Sequence, residues 1–196
     1  PPRLRRGPRC ARLMEKAKET GEHAMELLSA ACALVREAGA LFFDRDRSSQ
    51  IREKAPTDYV TEADTTVQSF LQKKLAELDP DIGFLGEEQP EGAWDFEKPV
   101  WVLDPVDGTT NLIHAFPHSA VSLALVEHGQ SQLGIVYNPY TRELFTARRG
   151  GGAFCNGEAI RVSGVQRLSG ALVSLGTAPG FRQNADVNFA RMRRVF

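Results

Sequence analysis

The sequence predicts an α+β protein, with helices first and then a run of closely linked strands forming a largely antiparallel sheet. Three observations carry that reading. Leu27, Leu28, Ala31, Leu34, Val35, Ala38, Leu41 and Phe42 recur at three- and four-residue steps, the period of a helix with one apolar stripe. Val67, Phe70, Leu71, Leu75 and Leu78 repeat the pattern for a second helix. Beyond residue 100, short apolar runs alternate with turn signals too brief to hold a crossover helix, which favours antiparallel pairing. Helices followed by strands make α+β or layered α/β, not a regular βαβ series.

The first helix is expected over residues 14–43, its apolar stripe covering a sheet. Residues 44–56 are charged and irregular, with Lys54 near their end. Thr61 and Asp64 then resemble a capping box, with Asp in place of the usual Glu or Gln, and Asp79-Pro80-Asp81 stops the helix they open. A short apolar piece over 82–85 runs into Gly86-Glu87-Glu88-Gln89, and a loop over 90–99 leads to a strand over 100–103. That strand ends on Asp104, because Pro105 has no N–H for the ladder. Strands follow over 120–127, 133–137 and 144–147, joined by His128-Gly129-Gln130-Ser131 and Asn138-Pro139-Tyr140-Thr141. Gly150-Gly151-Gly152 and Asn156-Gly157 punctuate shorter strands, 171–175 is a last strand, and 184–195 a last helix.

The bulk numbers exclude several classes. At 196 residues, 42% hydrophobic and 25% charged, the chain is long enough for one sizeable globular domain, or one large domain with a fragment of a second. A net charge of −1 gives no electrostatic case for nucleic acid or an acidic membrane, and no stretch is apolar enough to span a bilayer. The basic, proline-rich residues 1–13 read as a disordered tail, leaving 14–196 as the domain. Cys10, Cys32 and Cys155 are odd in number and far apart, which points to a reducing compartment and no disulfide framework. A soluble, cytoplasmic protein is expected.

The chemistry concentrates at strand ends. Asp104 and Asp107 flank Pro105-Val106 at the mouth of a strand, and Glu87-Glu88 follows another strand-like piece. Carboxylates so placed, with the Val106 carbonyl between two of them, offer the hard oxygen ligands Mg²⁺ takes. Gly108-Thr109-Thr110, opening a helical turn, offers backbone N–H groups to an anion. The same residues also admit plainer readings. Asp-Pro and Asp-Gly are common turn dipeptides, Glu87-Glu88 alone reads as a solvated loop, Asp64 as a helix cap and Lys54 as a surface lysine.

Taken together, the motifs resemble the inositol monophosphatase family. Gly86-Glu87-Glu88 followed by Trp101-Val102-Leu103-Asp104-Pro105-Val106-Asp107-Gly108-Thr109-Thr110-Asn111 looks like its paired signatures. Thr57-Asp58-Tyr59-Val60-Thr61-Glu62-Ala63-Asp64, Phe116-Pro117-His118-Ser119-Ala120-Val121-Ser122 and Gly152-Ala153-Phe154-Cys155-Asn156-Gly157 resemble further family segments in the family's order. The resemblance implies a layered α/β sandwich of the sugar-phosphatase type, its N-terminal helix pair lying on the sheet. It implies metal ligation by Glu87, Asp104, the Val106 carbonyl and Asp107. It also implies substrate binding by Asp107, Gly108, Thr109 and Thr110, activation of water by Thr109 with Glu87 or Asp64, and support from Lys54 and Glu88.

The implied reaction is Mg²⁺-dependent, lithium-sensitive hydrolysis of a small phosphorylated polyol, most simply inositol monophosphate, by a homodimer. One ion would activate the attacking water and another would neutralise the leaving oxygen. The sequence departs from the family at its end. The family's later Trp-Asp motif, which supplies another carboxylate, is not in this chain; Trp94-Asp95 lies upstream and is followed by Phe96-Glu97-Lys98. The expectation is therefore a domain truncated at its C-terminal end, with the second αβ portion mostly missing. The alternative is a catalytically incomplete chain that binds metal or phosphate and needs a partner or that missing portion.

Overall fold

The structure is a computed structural model that describes residues 8–43, 51–55, 58–89, 94–174 and 182–195. Helix α1 (Pro8–Gly39) continues as a 3-10 turn over Ala40–Phe43. Strands β1 (Ile51–Ala55) and β2 (Asp58–Thr61) form an antiparallel pair that feeds helix α2 (Glu62–Leu78). Strands β3 (Gly83–Gly86) and β4 (Val100–Asp107) precede a short helix, α3 (Thr109–Ile113). Then come β5 (Ala120–Glu127), β6 (Gln130–Asn138), β7 (Glu143–Arg148), β8 (Gly152–Cys155), β9 (Glu158–Ile160) and helix α4 (Ala185–Arg193). The α+β class stands as read.

Helix spacing explains the core. Leu27, Ala31, Val35, Ala38 and Phe42 are buried along α1, and Ala63, Val67, Leu71 and Leu75 along α2. Both stripes face one side of a seven-stranded sheet ordered β3-β4-β5-β6-β7-β8-β9. Trp101, Leu103, Leu123, Leu125, Ile135 and Tyr137 rise from that side at the two-residue period of a strand. Burying such side chains is worth about 1.5–3 kcal/mol each, so this face holds the fold together. The other face carries half-buried Val102, Ala124 and Val126 and the exposed Val136 and Phe145.

Four expectations need correction. α1 begins at Pro8, inside the stretch read as a disordered tail, and Pro8 suits a first turn because its missing N–H has no helical partner to lose; residues 1–7 lie outside the described residues. The charged segment before Pro56 is not irregular throughout, since Ile51–Ala55 pairs with β2. Residues 171–174 form no strand and stay exposed, Leu172 fully so, and Leu175 lies outside the described residues. β4 does not end at Asp104 but runs to Asp107. Its register slips between Asp104, paired with Ser122, and Asp107, paired with Ala120, so Pro105 sits in a bulge where no ladder N–H is required.

The site depends on one exception to antiparallel pairing. β3 runs parallel to β4, with Gly86 opposite Leu103. The two strands therefore deliver Glu87 and Asp104 to the same edge of the sheet.

Candidate active site

Parallel pairing brings the carboxylates together. The Glu87 N–H donates to the Leu103 carbonyl at 3.0 Å, which seats Glu87 beside the residue that follows Leu103, Asp104. Asp104 is half-buried and feels the charges of both Glu87 and Asp107. Burial first, then the Glu87 charge, pushes it up to about 8, although a hydrogen bond from the Val106 backbone pulls the other way. Its Oδ1 is buried and has no hydrogen-bond partner. An acid held this way gains from a cation, which would satisfy the orphaned oxygen and relieve the repulsion. The donor set, all hard oxygen, suits Mg²⁺. Among the described residues, however, no three His, Cys, Asp or Glu side chains gather closely enough to hold an ion by themselves.

The turn after β4 is held from both sides. Gly108 has φ 96 and ψ 42, a left-handed conformation that only glycine adopts freely, and it caps α3. A Cβ there would stand 3.0 Å from the His118 carbonyl and 3.1 Å from the Asn111 amide nitrogen. The buried Ser119 hydroxyl donates to the Gly108 carbonyl at 2.8 Å, and the Asn111 amide donates to the His118 carbonyl at 2.6 Å. These groups border a small pocket of about 140 Å³ with Asp107, Ala120 and Asn138.

On the other side stands α2. The capping box read from Thr61 and Asp64 is present: Asp64 Oδ2 accepts the Thr61 N–H at 2.7 Å and the Thr61 hydroxyl at 2.6 Å. Asp64 is only 2% exposed, and its second oxygen accepts the Thr109 hydroxyl at 2.9 Å. Thr109 Oγ1 also lies 3.1 Å from the Val106 carbonyl. One carboxylate therefore caps α2 and also holds the Thr109 hydroxyl.

The structure thus sets Glu87 and Asp107 each near Asp104, without drawing the three together closely enough to hold an ion by themselves, and joins Asp64, Thr109 and the Val106 carbonyl through hydrogen bonds. Thr110 lies in the first turn of α3, its side chain exposed and its carbonyl accepting from the His114 N–H. Glu88 meets the site through its backbone, its N–H donating to Gln68. Lys54 falls on β1, its side chain outside those described. Asp95 of the upstream Trp-Asp pair lies elsewhere, exposed and 3.6 Å from Lys98. Sequence reading passed over Gln68, Asn111 and Ser119 as individual residues. Gln68 alone carried a signal, a polar residue on the buried helix face of Val67, Leu71 and Leu75.

An α+β fold with two carboxylates, Glu87 and Asp104, set side by side across a parallel strand pair is thus on hand. The chain belongs to the inositol monophosphatase family, whose family model matches residues 21–193. It is 39% identical over 153 residues to an inositol-1-monophosphatase of Rhizobium meliloti, covering 78% of this chain and 58% of that protein. The crystal structure of the extragenic suppressor protein SuhB from Bartonella henselae is similar with a TM-score of 0.77 and 35% identity, over 88% of this chain and 66% of that one. A crystal structure of an IMPase/NADP phosphatase complexed with Mg²⁺ and phosphate matches 56% of this chain and 42% of its own, with a TM-score of 0.53 and 33% identity. The chain spans little more than half the length of the curated relatives it matches first, 58% and 56%.

Proposed function

We propose that the chain carries the larger part of a Mg²⁺-dependent phosphatase site for a small phosphate monoester, with inositol monophosphate as the substrate. The observation that carries this reading is Asp104: a half-buried residue whose Oδ1 is buried without a partner, beside Glu87 and Asp107. Glu87, Asp104, the Val106 carbonyl and Asp107 would hold the cation. When bound, Mg²⁺ supplies charge neutralisation on the phosphate and leaving oxygens and lowers the pKa of water.

The chain's own residues do the remaining work. Thr109 gives its hydroxyl proton to the Asp64 carboxylate, which leaves an oxygen lone pair to receive a proton from the attacking water. Because Asp64 is tied to Thr61, the hydroxyl is held in one direction before substrate arrives. The backbone at Gly108 and Thr109, with Thr110 beside it, supplies donors to the phosphate oxygens. The relative crystallised with Mg²⁺ and phosphate supports this choice of ion and anion.

A second reading has its own support. No three ligand side chains converge among the described residues, and the chain spans only 58% of its relative from Rhizobium meliloti. The chain would then bind Mg²⁺ or phosphate without turnover until a further carboxylate reaches the cluster from a partner or from a longer polypeptide. Steady-state hydrolysis of inositol 1-phosphate with Mg²⁺ separates the two. Under the first reading the purified chain turns over and Asp107→Asn falls to background; an unchanged rate in that variant would show the site assignment to be wrong. Mg²⁺ binding without turnover establishes the second reading.

A further inference from the structure

Gln68 stands one helical turn beyond Asp64 on α2, only 7% exposed, among the buried Val67, Leu71 and Leu75. A polar side chain at such a position is costly unless it is hydrogen-bonded. Its Oε1 accepts the Glu88 N–H at 3.0 Å, a bond between residues twenty positions apart in the sequence. The packing is so close that a Cβ on Gly86 would overlap the Gln68 amide. Glycine at 86 is what lets helix and turn approach.

We infer that Gln68 is a positioning residue of the candidate site, setting through the Glu88 N–H where Glu87 stands against Asp104. The turn after β3 is pinned twice. The Glu87 N–H bonds Leu103 on the strand that carries Asp104, and the next N–H bonds α2. The first bond fixes the height of Glu87 along the sheet edge, and the second fixes the direction in which the chain leaves the strand. Helix α2 thereby holds both halves of the site from one face, Asp64 gripping Thr109 after β4 and Gln68 gripping the turn after β3. Outer partners that orient a ligand commonly govern metal affinity about 10–100-fold.

The inference rests on reading Glu87, Asp104 and Asp107 as a cation site. Its test uses two variants of the purified chain: Gln68→Met, close in volume and lacking the acceptor, and Gln68→Glu, which keeps it. Mg²⁺ affinity is measured by titration calorimetry, and exchange of the Glu88 amide by NMR without metal. Gln68→Met should weaken Mg²⁺ binding about tenfold and speed Glu88 exchange, while Gln68→Glu restores both. If Gln68→Met binds Mg²⁺ as tightly as the parent, the inference fails, whatever happens to stability, and Gln68 only packs. A parent chain that binds no Mg²⁺ overturns the site reading and the role of Gln68 together.

Discussion

Asp64 ties the fold to the chemistry, and substitution separates its two duties. Its carboxylate accepts the Thr61 N–H at 2.7 Å, the Thr61 hydroxyl at 2.6 Å and the Thr109 hydroxyl at 2.9 Å. Thr61 is itself 2% exposed, so in Asp64→Ala its donors are stranded where water does not replace the lost bonds. Loss of an N-terminal cap costs about 1 kcal/mol. A stranded buried donor adds about 1–3 kcal/mol. The expected loss in Asp64→Ala is therefore about 3 kcal/mol, read as a lower urea midpoint with an unchanged slope.

Asp64→Asn behaves differently. With its remaining oxygen turned toward Thr61 the amide keeps both Thr61 bonds, and its NH₂ faces Thr109. The Thr109 hydroxyl then donates to the Val106 carbonyl, 3.1 Å away. Stability should fall by only about 1 kcal/mol. Turnover of inositol 1-phosphate with Mg²⁺ should nonetheless drop at least about 100-fold, since an amide cannot take the Thr109 proton. An Asp64→Ala chain within about 0.5 kcal/mol of the parent would refute the capping account. An Asp64→Asn chain turning over at the parental rate would take Asp64 out of the chemistry.

Two further outcomes are expected. Gly108→Ala forces a side chain into a left-handed conformation 3.0 Å from the His118 carbonyl, and should cost about 2–3 kcal/mol, visible in the thermal midpoint; a neutral result would mean the turn relaxes freely. The metal-free chain should lose stability as pH rises. With Asp104 raised from 3.8 to about 8, the folded state keeps a proton that the unfolded state releases across that window, so the folded state is progressively disfavoured until about pH 8. Solvent still reaches the carboxyl, which reduces the loss to about 2 kcal/mol between pH 5 and 8. Urea midpoints in EDTA at those two pH values would show it, and saturating Mg²⁺ should remove most of the slope; equal midpoints in EDTA would contradict the crowding of Asp104.

Much of this was legible because it is local. The stripe from Leu27 to Phe42 and that from Val67 to Leu75 are helix-period patterns, and they face the core as read. The Thr61–Asp64 box lies within one helical turn, so three residues of separation were enough to see it. Turns at Asn138 and Asn156 were visible for the same reason; Asn138 Oδ1 caps its own turn by accepting the Tyr140 and Thr141 N–H groups at 2.9 and 3.2 Å. Misreadings came where tertiary context overrode local preference. Pro105 did not end β4, because a bulge against β5 absorbs the missing donor, and the apolar run at 171–174 found no strand to pair with.

By itself the sequence determined which residues could do chemistry, their family and the two helical faces that bury the sheet. It named Glu87 and Asp104 without showing that they stand side by side. That was decided by the parallel register of β3 on β4, a long-range pairing that no periodicity encodes, since strand direction leaves no mark on side-chain alternation. Tertiary structure alone also joined Asp64 to Thr109 and Gln68 to Glu88, bonds made between separate elements whose energy comes from burial rather than from neighbouring residues.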